Sequence, residues 1–150
     1  MKKQFFIFSV MFLFSFSIFS QENANSQQDT TKINTGVVNT EIIINFDFND
    51  CNIKTEFNEG LNQFIANLAK SEHNNVIIFG HTDSVGSNAD NEKLGLCRAN
   101  SVKDYFISKG ISENRIQVIS KGEKAPIADN STEDGAYKNR RVVVDFIERK

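Results

Sequence analysis

The sequence predicts an α/β (α+β) fold for residues 40–150: a two-layer sandwich of order βαβαββ, with two main helices on a four-stranded mixed sheet. Three observations carry this. Ile44, Phe46 and Phe48 alternate with Asn45 and Asp47, the period of a strand with one face on a core. Phe57, Leu61, Phe64, Ile65 and Leu68 then recur at helical spacing, a stripe wide enough to cover a sheet. Val76-Ile77-Ile78-Phe79 is apolar at every position, as in an interior strand with neighbours on both sides. Strand–helix–strand units imply right-handed crossovers onto one sheet.

The chain opens differently. Lys2-Lys3 precede an apolar and Ser stretch from Phe5 to Phe19, with Ser20 before Gln21, the layout of a secretory signal peptide over residues 1–20. The stretch is shorter than the roughly 20 apolar residues of a membrane-spanning helix. An uncleaved anchor is the alternative, and the bulk of Ile18 leaves the cleavage position open. With no Cys at its end, the segment does not read as a lipidation signal. Residues 21–39, rich in Asn, Gln and Thr and without apolar period, read as a flexible polar leader.

Within the domain, a first strand leads through the turn cluster Asn49-Asp50-Cys51-Asn52 to a helix that Thr55 can cap, with Glu56 and Glu59 in its first turn. A second helix runs from about Asp90 to Lys109, with Leu94, Val102, Tyr105 and Phe106 on its buried side. Gly110 followed by Ile111 fits a left-handed stop. Arg115 to Ser120 alternates as a third strand, Lys121 to Lys138 reads as a long polar connection, and Val142 to Ile147 is the last strand.

The formal charge is -2 and becomes -4 once the segment holding Lys2 and Lys3 is removed. An acidic chain without a basic run argues against a nucleic-acid partner. Cys51 and Cys97 are too far apart for a CxxC motif. In an oxidising compartment they either pair, closing a loop of about 46 residues worth roughly 3–4 kcal/mol, or stay as two thiols. His73 and His81 lack a second ligand at zinc spacing. Ser84 lies near His81, but there is no GxSxG elbow and no third group to orient a base. No cofactor is implied.

The chemistry concentrates between Gly80 and Val102. Asp83 stands at the mouth of a strand and Arg98 in the following helix, so acid and base can face each other across a cleft. Such a pair suits a zwitterion that carries an ammonium and a carboxylate on one carbon. The bland reading is that Arg98 merely pairs with Asp83 to brace the strand end.

These residues resemble the OmpA-like domain, the peptidoglycan-associated module of Gram-negative envelopes. The resemblance runs through Gly80-His81-Thr82-Asp83, Gly86, Asn91, Leu94, Arg98-Ala99, Val102, Tyr105-Phe106 and Gly110-Ile111. It continues through Arg115-Ile116, Gly122-Glu123, Pro126 to Asn130 and Asn139-Arg140-Arg141-Val142, and the opening Phe46-Asp47-Phe48-Asn49 matches the family's first strand. Gly95 departs from the family Ser, at a helix-propensity loss of roughly 0.5–1 kcal/mol. The resemblance implies non-catalytic binding of the peptidoglycan stem peptide through diaminopimelate, in the periplasm or at the outer membrane of a Gram-negative bacterium. Asp83 would take the ammonium and Arg98 the carboxylate; Asn91 and Asn49 would hydrogen-bond the peptide, and Arg140 would add a cation. Two other classes stay open: a module that binds mainly an outer-membrane or envelope protein, and a small hydrolase or metal protein.

Overall fold

The computed structural model describes residues 41–70 and 74–148, so the signal-peptide and leader expectations and His73 lie outside the described residues. Strand β1 (Glu41–Asn45) is followed by a 3₁₀ turn (Thr55–Phe57), helix α1 (Asn58–Ala69), strand β2 (Asn74–His81) and helix α2 (Asn88–Ser108). A second 3₁₀ turn (Glu113–Arg115) leads into β3 (Ile116–Gly122), helix α3 (Glu133–Asn139) and β4 (Arg141–Glu148). The sheet order is β1-β4-β2-β3. β4 runs antiparallel to β1 and β2, and β2 is parallel to β3. The expected mixed four-stranded sheet is therefore present, with the last strand inserted between the first two.

Alternation decides the two faces of the sheet. Val76 and Ile78 of β2 and Val142 and Val144 of β4 are fully buried against Leu61, Leu68, Val102 and Phe106 of the helices. Phe64 stacks on Phe146 with ring centroids 4.5 Å apart and lies 6.0 Å from Phe106. Each such side chain contributes about 1.5–3 kcal/mol by leaving water. The alternate positions, Ile77, Phe79 and Val143, are half-buried on the opposite face.

Four local expectations change. β1 stops at Asn45: the Phe46 N–H donates to the Arg140 carbonyl at 2.9 Å, Phe48 is 61% exposed, and the chain turns through Asn49 at φ 52°. Thr55 opens a 3₁₀ turn instead of capping α1, whose N-cap, Phe57, makes no side-chain bond. Leu94 is only half-buried, because the inward face of α2 is made by Asn91, Gly95, Arg98, Ala99, Val102 and Phe106. The connection before β4 contains α3, capped by Thr132 Oγ1, which accepts from the Gly135 N–H at 3.1 Å. Seven residues with so few apolar positions display no helical period, which hid α3 from pattern reading.

The stop at Gly110 is as expected. Gly110 has φ 91°, its N–H donates to the Ile107 carbonyl at 2.9 Å, and the Ile111 N–H to the Phe106 carbonyl at 3.1 Å. This is the Schellman arrangement. Gly95 has a purpose beyond propensity. A Cβ on Gly80 would lie 1.8 Å from the Gly95 carbonyl oxygen, and one on Gly95 would lie 2.9 Å from the Gly80 oxygen. Helix α2 thus rests backbone to backbone on β2.

His81 ends β2 and is 5% exposed. Burial, then the charges of Arg141 and Lys121, lower its pKa to about 4. As pH falls below about 6.5, the unfolded chain takes up a proton that the folded chain refuses.

Two outcomes follow from this packing. Gly80→Ala destabilises the domain by at least about 2–3 kcal/mol in urea unfolding, and wild-type stability would contradict the close approach. Stability is full above about pH 6.5 and declines by up to about 3 kcal/mol toward pH 4; in thermal melts across this range, His81→Gln flattens that limb.

Candidate functional site

Asp83 lies just beyond β2, where the strand gives way to the loop before α2, and is 4% exposed. Its Oδ1 accepts from the Val85 N–H at 3.2 Å, a turn that fixes the carboxylate. Its Oδ2 accepts from Arg140 Nη1 at 3.0 Å. Arg140 sits between α3 and β4, 4% exposed, and donates from Nη2 to Glu133 Oε1 at 2.6 Å and from Nε to the Phe46 carbonyl at 3.3 Å. Burial pushes the Arg140 pKa down, and its hydrogen bonds to Glu133 and Asp83 more than reverse this, leaving it above its ordinary value.

Arg98 is fully buried. Its Nε donates to the Asp50 carbonyl at 2.8 Å, Nη1 to the His81 carbonyl at 2.9 Å and Nη2 to the Asp47 carbonyl at 3.0 Å. The guanidinium carbon lies 5.4 Å from the centre of the Phe46 ring. Burial lowers its pKa to about 10; Asp83 and Asp50 oppose that shift and Arg140 adds to it, so the group stays charged at neutral pH.

The acid–base pair read from the sequence is therefore arranged differently. Asp83 and Arg98 belong to one charge cluster, but the ion pair of Asp83 is with Arg140, and Arg98 spends these bonds on backbone carbonyls. Arg98 does brace the end of β2, through the His81 carbonyl and the turn after β1, and does so without the pairing to Asp83 that the sequence suggested.

Asn49 is exposed at the tip of the turn that Arg98 holds through Asp47 and Asp50. Asn91, in the first turns of α2, is 2% exposed and donates to the Glu123 carboxylate. It reaches the end of β2 through Gly122, whose carbonyl accepts the Thr82 N–H at 2.9 Å. Cys51 and Cys97 are joined in a disulfide, Cα to Cα 5.8 Å, so the residue next to Arg98 ties the same turn covalently to α2.

Two acids to which the sequence reading gave no role take part, Glu133 on Arg140 and Glu123 on Asn91. Thr132-Glu133 at a helix start was the available signal for the first, since it sets an acid about two turns before Arg140. Nothing local points to the second. Asn139, named in the motif without a role, has one here: its Oδ1 accepts from the N–H groups of Ile127 and Ala128 at 2.7 and 3.1 Å, which shapes the loop before α3.

Chemically, the cluster sets the carboxylates of Asp83 and Glu133 against the guanidiniums of Arg140 and Arg98. The exposed apolar side chains of Val85 and Phe48 lie close in sequence to Asp83 and to the Asp47–Asp50 turn. That arrangement suits a ligand bearing both charges and an aliphatic body. Among the described residues, no group of three His, Cys, Asp or Glu is placed to hold a metal, and no helix is long and apolar enough to cross a membrane.

Comparison with known proteins identifies the family. The family model described as OmpA family matches residues 45–140. Outer membrane protein A of Bordetella avium is 41% identical over 102 residues, 68% of this chain and 53% of that protein. A peptidoglycan-associated lipoprotein of Buchnera aphidicola is 38% identical over 103 residues, 69% of this chain and 60% of that protein. The chain thus spans little more than half the length of these relatives. In three dimensions it is similar to the peptidoglycan-associated lipoprotein of Burkholderia pseudomallei, with TM-score 0.68, 25% identity and coverage of 70% of this chain and 89% of that one. The match includes the strand ends and helix that carry Asp83, Arg98 and Arg140, and the chain belongs to the OmpA family of non-catalytic envelope proteins.

Proposed function

We propose that this chain binds peptidoglycan without chemistry, gripping the diaminopimelate residue of the stem peptide, and so ties an envelope component to the cell wall. The observation that carries this reading is the buried carboxylate of Asp83, paired with the Arg140 guanidinium and within electrostatic reach of Arg98, at the mouth of β2. Membership of the OmpA family and likeness to proteins named peptidoglycan-associated lipoprotein support it. The proposed place of action is the periplasm or outer membrane of a Gram-negative bacterium, reached through export by residues 1–20.

Diaminopimelate in a stem peptide keeps an ammonium and a carboxylate on one carbon. The ammonium takes the place of Arg140 on Asp83. The released Arg140 guanidinium, with Arg98 behind it, then faces the carboxylate. A planar guanidinium suits this role because it donates two parallel bonds to a carboxylate, which a lysine ammonium does not. Asn49, at the rim, and Asn91, released from Glu123, hydrogen-bond the peptide. The ligand thereby exchanges one internal ion pair for two of its own, and little of the frame has to move.

Co-sedimentation with purified sacculi, competed by free diaminopimelate, tests the reading. Asp83→Asn is expected to weaken binding by about 2–5 kcal/mol, roughly 30-fold or more, since it leaves the ligand ammonium unpaired. Wild-type retention of this variant would overturn the assignment. Arg98→Lys separates ligand contact from bracing. It lowers stability by about 3–5 kcal/mol, because one ammonium cannot span three carbonyls, and its remaining folded fraction should also bind sacculi weakly. Full binding by that fraction would leave Arg98 a brace alone.

A further inference from the structure

The sheet face turned away from α1 and α2 carries a pocket of about 330 Å³, separate from the Asp83 cluster. Its walls are apolar: Ile43, Phe79 and Val143 from three adjacent strands, and Ile127 from the loop before α3. Ile43 and Ile127 are 42% and 61% exposed, so the walls are open to solvent.

Three basic side chains border the same pocket: His81, Lys121 and Arg141. Arg141 is 5% exposed; its Nη2 donates to the Ala125 carbonyl at 3.3 Å, and its Nη1 is buried with no hydrogen-bond partner. The Nδ1 of His81, itself 5% exposed, is likewise buried and unpartnered. Among the described residues, no carboxylate forms an ion pair with Arg141; Glu41, also on the pocket wall, acts on it only at longer range.

The neighbouring residue shows what a satisfied guanidinium looks like in this fold. Arg140 is equally buried and holds two carboxylates. A buried cation without an anion is unfavourable, and proteins ordinarily pair it. At Arg141 the uncompensated charge instead borders an open apolar pocket.

We propose that this pocket is a second binding site, for a monocarboxylate with an apolar tail. The carboxylate docks on Arg141 and Lys121 and accepts a hydrogen bond from His81, while the tail lies on Phe79, Val143, Ile43 and Ile127. A dianion such as a phosphate ester suits the pocket less well, because Glu41 adds a negative charge to its wall and the lining is mostly apolar. The volume leaves room for a tail of about eight carbons. A free fatty acid and the apolar C-terminus of a peptide share this chemistry.

The test is titration of the full chain, followed by NMR and calorimetry, with octanoate and with a short acetylated peptide ending in a free leucine carboxylate. Octan-1-ol, octylamine and the amidated peptide are the controls. At least one carboxylate probe should bind, and Arg141→Met should weaken it about tenfold or more while leaving sacculus binding unchanged. Because Arg141 is buried, the exposed Lys121→Gln gives a second reading that leaves the core intact, with a loss of about threefold. Binding of octanoate alone would identify a fatty acid as the source, and binding of the peptide alone a protein C-terminus. The proposal is overturned if neither carboxylate binds at about 10 mM, if the alcohol or amide binds as well as the acid, or if both variants bind like wild type.

Discussion

A guanidinium with no exposure to solvent holds the end of β2, the turn after β1 and helix α2 in one place. The carbonyls of Asp47, Asp50 and His81 lie where regular sheet pairing has ended or is ending, and each would lose its partner if Arg98 were removed. Leaving such a group buried and unsatisfied costs about 1–3 kcal/mol, while a bond from a charged donor contributes about 1.5–3 kcal/mol. The disulfide from the adjacent Cys97 to Cys51 adds a covalent tie along the same line. Asp83 is positioned because the strand end before it is held in this way and its own Oδ1 accepts the Val85 N–H.

Close contact between α2 and β2 is the condition for that arrangement. Gly80 and Gly95 remove the side chains that would hold helix and strand apart, and this brings Arg98, one turn further along, over the strand end. The charge cluster then draws on four separate segments: the β1 turn, the end of β2, the start of α2 and the α3–β4 junction. β4 lies between β1 and β2 although it comes last in the chain, so Arg140 reaches Asp83 across the middle of the sheet.

Arg140 and Arg141 show how strongly environment divides adjacent residues of one type. Alternation at the start of β4 sends them to different surroundings. Arg140 meets Asp83 and Glu133, which hold its charge firmly. Arg141 meets an apolar pocket, and burial lowers its pKa. One domain of the OmpA family thus presents a charge-balanced cluster at one end of the sheet and an uncompensated cation on the sheet's open face.

Periodicity alone determined the fold class. Ile44 and Phe46, the α1 stripe and the unbroken apolar run of β2 leave few ways to bury their faces, and Gly110-Ile111 marks the end of α2 by a purely local rule. The residue types of the site were legible as well, since an acid after a strand and an arginine in the next helix carry a recognisable spacing. Tertiary structure alone decided which cation Asp83 holds, that the α3–β4 junction meets the end of β2, and that Glu123 and Glu133 take part. The physical reason is that ion pairing depends on distance in space and on burial. Arg140 lies 57 positions from Asp83 along the chain, and only the insertion of β4 between β1 and β2 brings the two charges together.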